Sequence, residues 1–230
     1  MRVLAVIPAR GGSKRIPRKN IKNFLGKPII AYSIEAAVAS GAFDMVMVST
    51  DDDEIAEIAR KYGAEVPFYR SEKTANDYAN IPEVFLEVFE EFEKRGETFD
   101  MACCIFPTAP FISKERLLEA SEKLEASDAD TLFPVVAFGY PPQRALVIEE
   151  GRLVFKYPEY MDSRSQDLQK QYHDAGQFIM FRVEAFRRNK KFWLGNILPL
   201  EISEMEVQDI DTQTDWEIAE MKYRILQDKK

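Results

Sequence analysis

Histidine and cysteine are nearly absent from this 230-residue chain, which has one His and two Cys. The cysteines, Cys103 and Cys104, are neighbours inside the apolar run Met101 to Phe106. Neighbours on a strand point to opposite faces, so the two do not bridge each other, and no CxxC metal spacing exists. This usage fits a reducing compartment. A lone His173 gives no basis for a Ser-His-Asp triad. No apolar stretch approaches the roughly 20 residues of a membrane span. The run after Met1, Arg2 to Arg10, is too short for a secretory apolar region followed by a cleavage site. A cytoplasmic protein without membrane association is expected. Positive charge is also short, with 31 Lys and Arg against 39 Asp and Glu and a net charge of −8. That excludes broad electrostatic capture of nucleic acid. Neither GxxxxGK[ST] nor GxGxxG occurs, which argues against the usual ATPase and dinucleotide-dehydrogenase readings.

What is present is globular: 46% hydrophobic and 12% aromatic residues, in a length that suits one domain over residues 1–230 with an elaboration. Apolar runs at Val3 to Ile7, Met45 to Ser49, Ala64 to Tyr69, Met101 to Phe106 and Thr131 to Val136 read as strands. Between them, Ile29 to Ser40, Asp52 to Tyr62, Ile81 to Arg95 and Ser113 to Ser127 carry helical periodicity. The stripe Phe85, Val88, Phe89 and Phe92 has the spacing of a core-facing helix. This alternation predicts an α/β fold with a mainly parallel, Rossmann-like sheet and helices on both faces. The pattern breaks over about 139–174, where a hairpin candidate from Leu146 to Tyr157 turns at Glu149-Glu150-Gly151; an inserted β-arm, for dimer contacts or as a lid, is expected there. Strands are expected again at Gln177 to Arg182 and Glu206 to Ile210. A last helix should open on a capping box at Thr214-Asp215-Trp216-Glu217.

Charge is segregated along the chain. No acidic residue precedes Glu35, while eight of the 31 basic residues lie before position 28; the remainder sets 23 bases against all 39 acids, a balance of −16. The basic residues crowd just after the first strand, where open α/β sheets bind ligands. Arg10-Gly11-Gly12-Ser13-Lys14-Arg15 puts two glycines, a hydroxyl and several cations there, a composition suited to phosphate. In Val207-Gln208-Asp209-Ile210-Asp211, alternation on a strand would project Asp209 and Asp211 together, and a Mg²⁺ ion between them would relieve their repulsion. The two constellations together suggest a nucleoside triphosphate with Mg²⁺. Arg164-Ser165-Gln166-Asp167 and Tyr172-His173-Asp174-Ala175-Gly176-Gln177-Phe178 gather groups suited to a polyhydroxylated, carboxylated substrate.

The segment Ile7-Pro8-Ala9-Arg10-Gly11-Gly12-Ser13-Lys14-Arg15-Ile16-Pro17-Arg18-Lys19-Asn20 resembles the signature of the nonulosonic acid cytidylyltransferases, the CMP-sialic acid synthetase family with its nucleotide-diphospho-sugar transferase-like fold. Ser49-Thr50-Asp51, Pro107-Thr108-Ala109-Pro110 and Asp209-Ile210-Asp211-Thr212 resemble its further segments, and the stretch Arg164 to Phe178 is most similar to the pseudaminic acid branch. Phe106 stands where sialic acid enzymes generally have Gln, which implies another sugar, whereas Ile179-Met180 depart from the aromatics usual in the pseudaminic branch. The resemblance implies a reaction of CTP with a nonulosonic acid, giving a CMP-sugar and pyrophosphate. By it, Arg10, Gly11, Gly12, Ser13, Lys14, Lys19 and Asn20 would hold the nucleotide, with Arg70 and Asp77 nearer the nucleoside. Asp209 and Asp211 would hold Mg²⁺, and Arg164, Gln166, Tyr172, Asp174 and Gln177 would take the sugar. Arg10, Lys14, Lys19 and Asp211 would be catalytic, and a homodimer would form through the arm. The alternatives are a cytidylyltransferase for N-acetylneuraminic, legionaminic or 3-deoxy-manno-octulosonic acid, or a non-catalytic nucleotide-sugar binding protein.

Overall fold

The computed structural model describes residues 1–13, 15–76 and 78–228. β1 (Val3–Pro8) is buried at all six positions, as a strand covered on both faces must be. A two-strand ribbon, β2 (Asn23–Phe24) and β3 (Lys27–Pro28), leads into α1 (Ile29–Ser40) and then β4 (Met45–Ser49). α2 (Asp53–Lys61) starts where the Asp52 carboxylate accepts the Ile55 amide proton. The short α3 (Glu72–Ala75) precedes α4 (Ile81–Lys94), opened by a reciprocal Asn80/Glu83 capping box. β5 (Met101–Ile105), α5 (Lys114–Glu125) and β6 (Thr131–Ala137) follow. The hairpin of β7 (Leu146–Glu149) and β8 (Arg152–Phe155) comes next, then β9 (Tyr172–Asp174) and β10 (Phe178–Arg182). α6 (Val183–Asn189), β11 (Ile197–Glu201) and α7 (Gln213–Gln227) complete the order.

The main sheet runs β11-β6-β10-β5-β1-β4, with β9 added beside β6. β1 pairs in parallel with β4 and β5, and β11 with β6. β10 is antiparallel to both β5 and β6, and β9 is antiparallel to β6. The sheet is therefore mixed rather than mainly parallel. The cause is the arm: no crossover helix follows β6, so the chain re-enters at the end of the sheet it had just left and must run the other way.

Three further expectations are corrected. Ala64 to Tyr69 makes only a single bridge from Glu65 to Met47, since Pro67 lacks the amide proton that a growing ladder would need. Glu206 to Ile210 is not a strand: Glu204–Glu206 form a 3₁₀ turn capped by Ser203, and the sheet edge is taken by β11. The capping box of α7 lies two residues before the expected one, with Thr212 and Asp215 bonding each other's amides.

Alternation divides the core. Val3, Ala5, Ile7 and Cys103 face a layer with Ile30 and Ile34 of α1, Ile55 of α2 and Leu117 of α5. Leu4, Val6, Ala102 and Cys104 face the other, with Phe85, Phe89 and Phe92 of α4 and Phe186 of α6. The two cysteines are free and buried on opposite sides, as neighbours on a strand must be. Truncating one of these phenylalanines to Ala would cost about 3–5 kcal/mol. A third cluster positions the site: Phe24 packs edge-on against Tyr32, Trp216 and Tyr223 at 5.4, 5.5 and 5.7 Å between ring centroids. It clamps α7 and the preceding Ile210 onto the ribbon that follows the basic loop.

Candidate active site

β1 has β5 on one side and β4 on the other, and the chain's order reverses there, which opens a crevice beyond the carboxyl ends of the strands. A cleft of about 500 Å³ occupies that position. Its walls carry Arg10, Gly12, Ser13, Arg15, Lys19 and Asn20 from the loop after β1, Arg70, Thr74 and Asn76 from the segment after β4, and Phe106, Pro107 and Thr108 from beyond β5.

The loop is held from behind by carboxylates. The Gly11 amide donates to Asp51 Oδ1 at 3.0 Å, and a Cβ on Gly11 would lie 2.7 Å from Asp52 Oδ2. Gly11 thus permits close packing onto α2, and it is Gly12 and Ser13 that face the cleft. Arg18, in a left-handed conformation at φ +53°, binds Asp52 through both terminal nitrogens and reaches Glu54 at 2.5 Å. These bonds hold the Asp52 carboxyl below its ordinary range and push the Arg18 guanidinium up. Asn20 Nδ2 donates to the Arg10 carbonyl at 3.0 Å, and Arg10 Nη1 to the Asn76 carbonyl at 2.9 Å. Lys19 Nζ donates to the Ile210 carbonyl at 2.6 Å and lies 3.6 Å from Asp211 Oδ1; Arg15 pairs with Asp211 Oδ2 at 2.6 Å. Residues some 190 positions apart in the chain therefore meet at the rim of the cleft.

Arg70 is only 8% exposed. Its Nε and Nη2 donate to Ser49 Oγ at 3.2 Å and the Ser49 carbonyl at 2.8 Å. Burial lowers its pKa, opposed by the carboxylates of Asp51 and Glu87. A guanidinium does not lose its proton in a protein, so Arg70 is a fixed, weakly hydrated cation in the cleft wall, ready for an anion.

The expected residues fall into two groups. Arg10, Gly12, Ser13, Lys19, Asn20 and Arg70 share the cleft, and Gly11 backs it; Lys14 and Asp77 lie outside the described residues. The expected sugar residues are dispersed. Asp174 lines a second cavity, about 400 Å³, with His173, Glu204, Gln208, Asp209 and Lys222. Gln166 lines a third at the root of the arm. Arg164 pairs with Asp167 at 2.7 Å, and the Tyr172 hydroxyl donates to Glu201 at 2.9 Å. Gln177 is buried, its side-chain amide donating to the Glu206 carbonyl. Arg15, Thr74 and Asn76 are cleft residues that were not singled out; Arg15 stood in the basic run itself, whereas Thr74 and Asn76 carry no motif.

Among the described residues, no group of three or more His, Cys, Asp or Glu gathers as a metal cluster. Magnesium needs only one or two carboxylates and takes its other oxygens from phosphate and water. Asp211 at the cleft rim, and Asp209 across the buried Ile210, have the donor chemistry it requires.

An open α/β sheet whose first strand ends in a cationic cleft of about 500 Å³ defines the class: a nucleotide-handling α/β protein. The cytidylyltransferase family model matches residues 4–214, and the chain belongs to that family. It is 43% identical to a pseudaminic acid cytidylyltransferase of Campylobacter jejuni, over 98% of this chain and 97% of that protein. Identity is 33% with a CMP-N,N'-diacetyllegionaminic acid synthase of Legionella pneumophila, over 99% of each chain. A CMP:2-keto-3-deoxy-manno-octonic acid synthetase solved with CTP has the same fold at 16% identity, with a TM-score of 0.72 over 99% of this chain and 100% of that one. None of the helices among the described residues is long and apolar enough to cross a membrane.

Proposed function

We propose that this cytidylyltransferase joins CTP to pseudaminic acid, giving CMP-pseudaminic acid and pyrophosphate. The observation that carries the sugar assignment is the 43% identity to the Campylobacter protein of that name, against 33% to the legionaminic acid relative. The triphosphate occupies the cleft of about 500 Å³. Arg10, Ser13, Lys19 and Asn20 bind the triphosphate and nucleotide from the cleft wall, with Arg70 on the nucleoside side; Lys14 and Asp77 are assigned to the same two roles on their sequence motifs alone. The anomeric hydroxyl of the sugar attacks the α-phosphorus as the bond to the leaving pyrophosphate breaks. Negative charge grows on that leaving group, and fixed cations around it stabilise the transition state more than the ground state. Lys19, pinned between the Ile210 carbonyl and Asp211, needs little reorganisation to do so. Asp209 and Asp211 would hold Mg²⁺, which when bound supplies Lewis-acid stabilisation of the phosphoryl oxygens and lowers the pKa of a bound hydroxyl.

The chain is read as a single nucleotidyltransferase domain with an arm over about 139–174. The arm exposes Leu146, Ile148 and Leu153, and Ile148 and Leu153 are cross-strand partners. An isolated two-stranded hairpin is marginal in water without a packed face, which supports a homodimer in which a second copy covers this face. The test is pyrophosphate release from each of four nucleoside triphosphates with Mg²⁺ and a panel of nonulosonic acids. Release is expected fastest with CTP and pseudaminic acid; faster turnover of another acid overturns the sugar assignment, and no release with CTP and any member overturns the enzymatic reading.

A further inference from the structure

Glu87 is a half-buried carboxylate in the middle of α4. It accepts three hydrogen bonds from one neighbouring segment: the Ser71 amide at 2.7 Å, the Ser71 hydroxyl at 2.9 Å and the Thr74 hydroxyl. Ser71 stands at the N-cap of α3 but makes no side-chain cap bond there; its hydroxyl is committed to Glu87 instead. Thr74 is buried and lines the cleft. Two residues further on, the Asn76 carbonyl receives Arg10 Nη1 at 2.9 Å, while Asn76 Nδ2 donates back to the Lys73 carbonyl at 2.6 Å. One residue before Ser71 stands Arg70, whose charge is favoured by the negative fields of Asp51 and Glu87 against its burial.

Arg70, Thr74 and Asn76 thus enter the cleft from one short segment whose main attachment to a long helix is a single carboxylate. We propose that Glu87 is a positioning residue for the nucleotide: by gripping Ser71 and Thr74 it fixes Arg70 and the Asn76 carbonyl, and through that carbonyl Arg10, in the geometry that receives CTP. The side chain itself does not line the cleft. A carboxylate suits the task because all of its capacity is for accepting, and charge-assisted bonds are about twice as strong as neutral ones. The proposal rests on the reading of this cleft as the CTP site.

The experiment compares wild-type protein with Glu87→Ala, Glu87→Gln and Ser71→Ala, measuring CTP binding by calorimetry and the separate steady-state constants for CTP and sugar. Glu87→Ala is expected to raise both Kd and KM for CTP about tenfold, close to 1.4 kcal/mol, with kcat within about twofold and the sugar KM unchanged. Glu87→Gln keeps one acceptor oxygen and should fall between; Ser71→Ala should raise the CTP constants about threefold. Unchanged CTP binding in Glu87→Ala, or an equal loss for both substrates and kcat, overturns the proposal. If Glu87→Ala does not fold, Ser71→Ala decides by the same criterion. Wild-type protein that fails to bind CTP rejects the cleft assignment itself, whereas wild-type binding with no change in the variants rejects only the role of Glu87.

Discussion

The cleft beyond β1 and the arm between β6 and β9 are built on different principles. Cations in the cleft are held by partners within the same chain: Lys19 by the Ile210 carbonyl, Arg70 by Ser49, Arg10 by Asn76. All three partners sit on or beside packed elements. In the arm, Arg164 pairs with Asp167 three residues away, and the hairpin leaves Ile148 77% exposed. The cationic cleft is therefore preorganised within one chain, whereas two of the expected sugar residues, Asp174 and Gln166, line different cavities. If the proposed homodimer forms, binding that depends on the first should survive loss of the second copy; binding that depends on the second should not.

The sharpest way to test this contrast is at the cleft rim. Asp211→Ala is expected to lower kcat by two to three orders of magnitude, on the scale of removing a preorganised electrostatic group, with an unchanged melting temperature; near wild-type turnover with Mg²⁺ would remove Asp211 from the site. The counterpart in the arm is Ile148→Asp. It should convert a dimer to a monomer by sedimentation and raise the sugar KM about tenfold, leaving CTP affinity unchanged. A fall in CTP affinity would erase the distinction between the two regions. Gly11→Ala should destabilise by about 1–3 kcal/mol, as overpacking does, because its Cβ would meet Asp52 at 2.7 Å. Thermal unfolding would reveal this as a drop of several degrees.

The smallest effect concerns acid. Hydrogen bonds from Arg18, then the Ile55 amide, hold the folded Asp52 carboxyl below its ordinary value, with burial opposing. The unfolded chain thus binds this proton more readily. The stability is fully present above the unfolded value of about 3.9 and is lost as pH falls through the folded one. Melting temperature against pH should fall more shallowly below pH 4 in Asp52→Asn than in wild-type protein. Parallel curves would show that the Arg18 bridge contributes nothing to the acid limb.

Much of the fold was legible because periodicity reports burial. Ile29–Ser40 as a helix and Met45–Ser49 as a strand match the expected bounds, and the Phe85 stripe is core. Strand direction was not legible, since β10 has the same apolar run whichever way it points; only the route of the arm decides. β11 was hidden by Pro199, which interrupts its short apolar run at a sheet edge. For the site, the basic loop announced itself through charge and glycine. Thr74, Asn76 and Glu87 did not, because they act through hydrogen bonds to backbone and hydroxyls, which leave no compositional trace. The carboxylates Asp209 and Asp211 were visible, but the extended segment that carries them pairs with no strand: its register comes from Ile210 and Trp216 packing on Phe24.

That packing also has a consequence in time. Lys19 takes its acceptor from Ile210 and its counter-ion from Asp211, and the ribbon beneath it is covered by Trp216. During synthesis the amino-terminal half of a domain emerges first, so the basic loop is exposed, charged and without its lid until α7 has been made. The cationic cleft is therefore completed only once a segment 191 residues beyond Lys19 has been made.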